Sequence, residues 1–518
     1  SDSSSPCVIS CEYGAIQFVW NTYDHSITNL NYTIDDFQHI SIPSENIPAK
    51  NSSLRKVVRV NNDTFPDVLE EFQSTNFTRN LHNTLWFSVR TPYDAEAGVY
   101  TNNITFNFLL DGEPSVQKLR VKLKLWNFTI PNTRHMRTRY GRAEWTMRDQ
   151  KTWISHRVSS DGCPITQASS LSQLHSNPEM TCYLDTSTNE WTFNWTWWDN
   201  QTKWLLDNNA NLFTLRTGVS LDRIPQYTDP NLEPRIRDYF EKVNAHFVSK
   251  GWAEYAYIYF IDEFEMFVPD IFTREGYFTY CAVVMSWMKQ SAPDIKLMVT
   301  GPTEEDFVSI LDPYIDIYCP TTYDRDKPTW DERLAAGKEM WMYACVGPIS
   351  PYPNNHYYDR LFETRILNWQ VWNYKGHGYM GWSAKNHRHG AWGIGHNGWG
   401  DGIFLYEDAE GNQYESIRWE NVLEAHEDYE YCWILNATLN NLEENSILTG
   451  ADISAYRSEF YTWTHAIAGE RWIYTDNVND IYEARTWIGE TLDELSQYTN
   501  LTSIAEQVID WTDFSIKA

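Results

Sequence analysis

Short apolar runs alternate with longer amphipathic stretches from about residue 134 onward, and this order restricts the possible fold more than any other feature of the sequence. A strand that is followed by a helix and then by another strand is typical of a parallel sheet. The predicted strands are residues 256–261, 295–300, 315–321, 340–346 and 378–384, and the predicted helices include residues 232–250, 274–290 and 357–374. The number of units approaches that of a (β/α)8 barrel, so we predict a TIM-type barrel for residues 131–440.

The two ends of the chain have other patterns. Residues 1–130 alternate apolar and polar side chains, as in 104–110 and 119–125, with the turn signal Asp111-Gly112 between them. This alternation predicts a β-sandwich. Residues 441–518 read as further helices, residues 481–495 among them, and we predict a helical extension packed on the barrel. The predicted fold class is therefore multidomain, β plus α/β.

The composition restricts the ligand. A formal charge of -29, from 41 Lys and Arg against 70 Asp and Glu, disfavours binding to nucleic acid or to an anionic membrane. The 25 Trp and 32 Tyr exceed what a core needs, and aromatic rings stack on the apolar faces of sugars. We expect a glycan partner, no nucleic acid and no membrane span, since no uncharged apolar run reaches about 18 residues. No cofactor is predicted, because the stretch with His387, His389 and His396 lacks the spacing of a zinc site.

Two adjacent carboxylates, Asp262 and Glu263, directly follow the predicted strand 256–261. The carboxyl ends of barrel strands open onto the active-site face, so we predict that both acids are catalytic. The alternative is a helix start at which Asp262 caps the helix and Glu263 favours its dipole.

The spacing of the acids bears on the reaction that they can support. An ordinary retaining glycosidase needs two carboxylates about 5 Å apart, commonly from different strands. Residues 340–346 offer no second carboxylate. Adjacent acids suit a substrate whose own 2-acetamido oxygen attacks the anomeric carbon, while one carboxylate orients the amide and the other protonates the leaving oxygen. A two-carboxylate enzyme that pairs Glu263 with Glu265 or Asp324 remains the alternative mechanism.

Sequons and cysteines indicate the secretory route. Asn-x-Ser/Thr sequons begin at Asn31, Asn51, Asn62, Asn76, Asn103, Asn127, Asn194, Asn200, Asn436 and Asn500. We pair Cys7 with Cys11 and Cys163 with Cys182 as disulfides, whereas Cys281, Cys319, Cys345 and Cys432 lie in apolar patterns typical of buried thiols. Residues 1–5 do not have the pattern of a signal peptide, so we expect a processed chain. The predicted location is outside the cell or in the lumen of the secretory or lysosomal pathway.

Several segments together carry a family resemblance. They are the strand that ends in Asp262-Glu263, residues 376–383, the turn Gly400-Asp401-Gly402 with Tyr406, and residues 416–420 and 427–431. Over about residues 1–440, the chain resembles glycoside hydrolase family 123, of the β-N-acetylgalactosaminidase type, and its related uncharacterised domains.

The resemblance implies an N-terminal sandwich, a catalytic barrel and retaining, substrate-assisted removal of terminal β-linked N-acetylgalactosamine. Asp262 would hold the acetamido nitrogen, and Glu263 would act as acid and then as base in a reaction through an oxazolinium-type intermediate. The chain departs from the family at Phe264, where related chains often have Pro, and in the unusual insert 385–399, which puts the outer sugar subsites in doubt.

Three further residues are candidate substrate ligands, each with a structural alternative. Trp382 is a sugar platform or a core residue, Tyr323 donates to the acetamido oxygen or is a plain loop residue, and Asp401 binds sugar hydroxyls or belongs to an Asp-Gly turn. Arg418 and Glu420 are expected to join a helix to the barrel. A non-catalytic, carbohydrate-binding or structural glycoprotein is the competing function, and the adjacent acid pair speaks against it.

Overall fold

The structure is a computed structural model that describes residues 7–9, 13–21, 25–60, 64–77, 79–80, 82–141, 146–216, 228–260, 262–263, 268–301, 309–323, 327–386 and 399–506. Of residues 7–9, 13–18, 21, 216 and 327 only the backbone is described. The fold is mixed β and α/β, with an N-terminal β-rich region, a central parallel sheet and a C-terminal helical region. The predicted domain boundaries near residues 130 and 440 stay predictions.

Two sheets make up the N-terminal region, and their strands pair antiparallel except for β1, which is parallel to β11. Its strands are β1 (Cys7–Ile9), β2 (Tyr13–Asn21), β3 (Ile27–Ile34), β4 (Phe37–His39), β5 (Asn46–Ile47), β6 (Ser52–Val60), β7 (Phe65–Glu71), β8 (Thr75–Phe77), β9 (His82–Arg90), β10 (Gly98–Leu110) and β11 (Glu113–Leu125). One sheet has the order β1-β11-β10-β3-β8, with β4 paired to β10 and β5 to β4, and the other has the order β2-β9-β6-β7. Leu30 and Ile104 of the first sheet share one buried cluster with Leu54 and Phe87 of the second.

The hairpin of β10 and β11 shows how the sequence determines a turn in the first sheet. β10 and β11 pair from Gly98 with Leu125 to Leu110 with Glu113. The two residues between them, Asp111 and Gly112, have φ angles of 50° and 92°. Positive φ at both central residues is the requirement of a type I′ turn, which Asp-Gly satisfies at low cost. The predicted turn is confirmed.

The remaining strands and the helices follow residue 130. The strands are β12 (Arg137–Tyr140), β13 (Cys182–Asp185), β14 (Glu190–Phe193), β15 (Phe213–Arg216), β16 (Ala256–Tyr259), β17 (Lys296–Thr300), β18 (Ile317–Cys319), β19 (Glu339–Ala344), β20 (Gly378–Gly381), β21 (Leu405–Glu407) and β22 (Gln413–Glu415). The helices are α1 (Met147–Ser155), α2 (Leu171–Ser176), α3 (Thr196–Asp207), α4 (Leu232–Lys250), α5 (Arg274–Ser291), α6 (Lys327–Ala335), α7 (Glu363–Asn373), α8 (Ile417–Glu444), α9 (Gly450–Ala468), α10 (Val478–Leu495) and α11 (Leu501–Ala505). Short 3₁₀ turns lie at Ala49–Asn51, Ala253–Tyr255 and Asp312–Tyr314.

The central sheet is parallel throughout, with the order β12-β20-β19-β18-β17-β16-β15. Seven strands are thus assigned among the described residues, where the sequence predicts about eight. The segment 159–161 contacts both edge strands: the Ser159 carbonyl accepts from the Tyr140 N–H at 3.0 Å, and the Asp161 carbonyl accepts from the Thr214 N–H at 3.0 Å. A backbone segment therefore lies between β12 and β15.

The sheet is strongly curved and has a buried cluster on each side. Its concave side buries Tyr257, Met298, Trp341 and Met380 from different strands in one small cluster. The Tyr257 and Trp341 rings lie 5.6 Å apart although their strands, β16 and β19, are third neighbours. The convex side packs against the helices in a much larger core.

Buried ion pairs join the C-terminal helices to the helices of the central sheet. Arg365 on α7 makes two hydrogen bonds of 2.7 Å to Asp428 on α8, and Arg485 on α10 donates to Glu427 at 2.8 Å. The predicted helix 481–495 lies inside α10, whereas the predicted helix 357–374 begins later, at Glu363. In the described part of the chain, no helix is long and apolar enough to cross a membrane.

Two predictions about covalent features need correction. Cys163 and Cys182 do not form the predicted disulfide, because both are free, buried thiols that point towards different carbonyls, of Pro164 and Thr166. The sequon at Asn436 lies within α8 with only 8% of the residue exposed, which leaves no room for a glycan. The Cys7–Cys11 pair and Asn62 lie outside the described side chains.

Candidate active site

Asp262 and Glu263 lie at the carboxyl edge of the central sheet, directly beyond β16, as predicted. One side chain from the neighbouring strand holds both: the Thr300 hydroxyl donates to Asp262 Oδ1 at 3.2 Å and accepts from the Glu263 N–H at 3.1 Å. Asp262 is exposed and Glu263 is half-buried. The alternative of a helix start at these acids stays a prediction, because residues 264–267 lie outside the described residues; the next described helix, α5, is capped by Thr273.

Glu263 has an unusual backbone. Its φ angle is 41°, in the left-handed region that non-glycine residues rarely adopt. Such conformations cost about 1–3 kcal/mol and persist where surrounding contacts fix them. Here Tyr343 on β19 donates its hydroxyl to Glu263 Oε1. In a flat sheet, β16 and β19 would lie about 14 Å apart, so this contact depends on the curvature of the sheet.

A second tyrosine holds Asp262. Tyr259, the last residue of β16, donates its hydroxyl to Asp262 Oδ1 at 2.5 Å. Burial and the Asp262 carboxylate raise the pKa of Tyr259 well above its usual value, and burial and Glu263 do the same for Tyr343. Both phenols therefore keep their protons, and each carboxylate accepts from its own fixed donor.

Asp401 and Trp382 form a second part of the site. The Trp382 indole N–H donates to Asp401 Oδ1 at 2.7 Å, and Asp401 is only 7% exposed. Gly402 allows this arrangement, because its φ is 70° and a Cβ atom there would lie 2.4 Å from Trp382 Cζ2. Asp401 and Trp382 line a small pocket together with Tyr140, Ala344, Asn354, Asn355 and His356. Trp382 is thus half-buried and packed on one side.

Cys345 connects the two parts of the site. Burial and the negative charges of Asp401, Glu263 and Asp262 raise the pKa of its thiol to about 12. Ala344, beside Cys345 at the end of β19, lines the pocket of Asp401 and Trp382, and the neighbouring Tyr343 holds Glu263. Asn354 and His356 donate to the Cys345 carbonyl, both at 3.0 Å, and so fix the chain beyond that strand. The structure therefore brings together Asp262, Glu263, Asp401 and Trp382.

Tyr323 lies farther out on the same rim. It follows β18, is 42% exposed, and its Cε1 atom would lie 3.9 Å from a Cβ atom at Gly347. Its ring meets that of Tyr352 edge to face at 6.2 Å. Tyr323 thus lies at the entrance to the site.

The sequence reasoning did not identify Tyr259, Thr300 and Tyr343. A common signal was available, because each is the last or nearly last residue of a parallel strand. Glu265, Asp324, Phe264 and the three histidines of the insert lie outside the described residues. Lys385, at the start of the insert, is buried in ion pairs with Asp149 and Glu407.

One other cluster has the composition of a metal site. His156, Glu415 and Glu420 have ligand atoms within 4.8 Å of one another. Arg55 of β6 already binds both carboxylates, with Nη1 2.8 Å from Glu415 Oε2 and Nη2 in contact with Glu420 Oε1. The cluster is therefore an ion-pair network. It joins α8 to the N-terminal sheet, as does the buried pair of Arg418 with Asp67. Arg418 also donates to the carbonyls of Asn355, Gly400 and Ile403, so it joins the helix to the central region as we expected.

Residues 182–435 match the family model for the glycoside hydrolase 123 catalytic domain. Among solved structures, a family 123 glycoside hydrolase from Clostridium perfringens shares the fold, with a TM-score of 0.67 and 13% identity over 95% of this chain and 94% of that one. An endo-β-1,4-mannanase from Thermotoga petrophila is similar with a TM-score of 0.34 and 11% identity over 58% of this chain and 77% of that one, which is too weak to carry an argument. The comparison with curated proteins found no match.

Proposed function

Because residues 182–435 carry its catalytic domain, this chain belongs to glycoside hydrolase family 123, and we propose that it removes terminal β-linked N-acetylgalactosamine from glycans with retention of configuration. The observation that carries this proposal is the pair Asp262 and Glu263, which a shared Thr300 and two separate phenols hold at the edge of the sheet. A protein that only binds sugars has no need of the strained φ at Glu263.

The reaction follows from two carboxylates with different tasks. The acetamido N–H of the substrate donates to Asp262, and the acetamido oxygen attacks the anomeric carbon. The bond from this carbon to the leaving oxygen breaks as Glu263 gives its proton to that oxygen. Water then attacks the anomeric carbon of the cyclic oxazolinium-type intermediate and loses a proton to Glu263, which restores the acetamido group. Two displacements at one carbon return the original configuration.

In this mechanism the surrounding side chains orient the two acids and bind the substrate. Tyr259 and Tyr343 fix the orientations of the two carboxylates, which preorganises them for the reaction. Asp401 and the indole of Trp382 bind the terminal sugar, and the Tyr323 hydroxyl donates to the acetamido oxygen. We also take the curved sheet to be a TIM-type barrel, in which the segment 159–161 fills the eighth position between β12 and β15.

The direct test is turnover of two aryl glycosides that differ only at C4 of the sugar. We expect an aryl β-N-acetylgalactosaminide to release its phenol faster than the β-N-acetylglucosaminide, and proton NMR should show the β-anomer of the free sugar first. A thiazoline mimic of the cyclic intermediate should inhibit strongly. A folded protein that turns over neither glycoside but binds N-acetylgalactosamine would support the non-catalytic alternative.

We further propose that the protein works outside the cell or in the lumen of the secretory or lysosomal pathway. The sequons support this location, and Asn31, Asn76, Asn103, Asn127, Asn200 and Asn500 are exposed. The buried Asn436 would stay unmodified.

A further inference from the structure

The turn between α9 and α10 displays an aromatic side chain at the rim of the site. Glu470 and Ile473 exchange two backbone hydrogen bonds, at 3.0 Å and 3.2 Å, which closes a tight turn with Arg471 and Trp472 at its tip. Trp472 is 44% exposed and Ile473 is 58% exposed. Large apolar side chains on a hydrogen-bonded turn are unlike the usual polar composition of such turns.

Contacts with the central region hold this turn in place. Gln370 on α7 donates to the Arg471 carbonyl at 3.2 Å, and Tyr374 donates to the Glu470 carboxylate at 3.0 Å. The Arg471 guanidinium in turn donates to the carbonyl of Tyr323, which lies in the segment after β18. The C-terminal region is therefore tied directly to the entrance of the active site.

Three aromatic rings contact one another in sequence at that entrance, each pair edge to face, at interplanar angles of 63° and 80°. The Tyr323 ring lies 6.2 Å from the Tyr352 ring, and the Tyr352 ring lies 6.1 Å from the Trp472 ring. Each step is comparable to the length of one pyranose unit. The Arg471 guanidinium lies 4.7 Å from the centre of the Trp472 ring, which orients the indole.

We propose that Tyr352 and Trp472 form a binding platform for the sugars on the leaving-group side of the scissile bond. This inference rests on the proposed glycosidase function. The occupant is a glycan because these rings adjoin Tyr323 at the entrance to the site, and because aromatic faces stack on the apolar faces of sugar rings. In this proposal Trp472, which contacts Tyr323 through the Tyr352 ring, binds the later sugars of a longer substrate.

The platform predicts a loss that depends on substrate length. The test compares wild type, Trp472→Ala and Trp472→Phe on a 4-nitrophenyl β-N-acetylgalactosaminide and on a free tetrasaccharide that ends in β-linked N-acetylgalactosamine. With Trp472→Ala, kcat/KM for the tetrasaccharide should fall about threefold to tenfold, mostly through KM, since this is the usual worth of one aromatic stacking contact. For Trp472→Ala, the ratio of kcat/KM for the tetrasaccharide to kcat/KM for the aryl glycoside should fall by the same factor. Trp472→Phe should keep most of the wild-type ratio.

A matched control removes an equally exposed ring elsewhere. Tyr498, also 44% exposed, lies after α10, and Tyr498→Ala should leave that ratio at its wild-type value. An equal loss on both substrates, or no loss on either, would overturn the platform. Titration with a non-hydrolysable, sulfur-linked tetrasaccharide keeps the two proposals distinguishable. If wild type turns over neither substrate, the glycosidase proposal fails. In that case, weaker binding of the sulfur-linked tetrasaccharide by Trp472→Ala would still support the platform, and unchanged binding would overturn it.

Discussion

Tyr343→Phe removes a single hydroxyl and leaves the ring that fills the concave side of the sheet. That hydroxyl donates to Glu263 Oε1, and Tyr343 is only 3% exposed. Hydrogen bonds to a charged group contribute about 1.5–3 kcal/mol. Because about 1.4 kcal/mol corresponds to a factor of ten in rate, we expect kcat to fall about 10- to 150-fold. KM should change little, since Tyr343 acts on the acid and not on the bound sugar.

The leaving group provides a sharper readout than the overall rate. Tyr343 positions the proton donor, so the loss should be largest for poor leaving groups and smallest for activated aryl glycosides, which need little protonation. Tyr257→Phe is the matched control. Tyr257 is fully buried in the same concave cluster, and its hydroxyl bonds to Thr214 at 2.7 Å, not to either acid. Steady-state kinetics on three or four aryl glycosides of graded leaving-group acidity, with thermal melting of both variants, separates catalysis from stability.

Two results would refute this reasoning. If Tyr257→Phe and Tyr343→Phe lose activity equally, the hydroxyl contributes to packing and not to the placement of Glu263. If Tyr343→Phe abolishes turnover of every substrate and a fluorinated glycoside labels Tyr343 in wild type, the phenol is itself the nucleophile. The strongly raised pKa of Tyr343 argues against that role, because a nucleophilic phenol must lose its proton readily.

Three further predictions concern the acids, stability and covalent state. Glu263→Gln should slow the hydrolysis of substrates with poor leaving groups about 10²- to 10⁴-fold and that of activated substrates less. Asp262→Asn should slow the hydrolysis of all substrates alike and should give little glycosyl azide when azide is added. A covalent sugar ester trapped on either acid would instead indicate a two-carboxylate mechanism. Burial lowers the pKa of His156 and His377 to about 4, so the unfolded chain binds protons first as the pH falls from about 6.5 to 4. The free energy of unfolding, measured with urea at pH 7, 5.5 and 4.5, should therefore decrease in that window, by up to about 3 kcal/mol per histidine, and a flat profile would contradict it. Mass spectrometry of native material should find glycans on exposed sequons such as Asn31 and Asn103 and none on Asn436, and Cys163 and Cys182 should alkylate after denaturation without a reductant; a protein that bears no glycan would argue against the secretory location.

Local patterns were enough to predict most elements of the fold. The Asp111-Gly112 turn, the helix α4 and the position of the acids beyond β16 each follow from a few consecutive residues. The segment 159–161 was not predicted, because its role depends on both edge strands and its sequence has no clear period. The failed Cys163–Cys182 pairing has a similar cause, since sequence spacing does not give the direction in which each thiol points.

The candidate site was predictable only where its residues are neighbours in sequence. Asp262 and Glu263 are adjacent, so a strand that ends in them was sufficient to identify them. The contact between Tyr343 and Glu263 joins residues 80 positions apart, and it forms because the sheet bends β19 towards β16. No local pattern encodes this curvature.

The identity of the side chain opposite Glu263 bears on the mechanism. An enzyme with two catalytic carboxylates would need an acid there, and the curved sheet instead brings in a phenol that keeps its proton. Asp401, the third acid near Cys345, accepts from the Trp382 indole and lies almost buried, an arrangement that suits sugar binding better than attack on carbon. With no nucleophilic carboxylate opposite Glu263 among these residues, the arrangement favours the proposed mechanism, in which the 2-acetamido group of the substrate would supply the attacking oxygen and Asp262 would orient it.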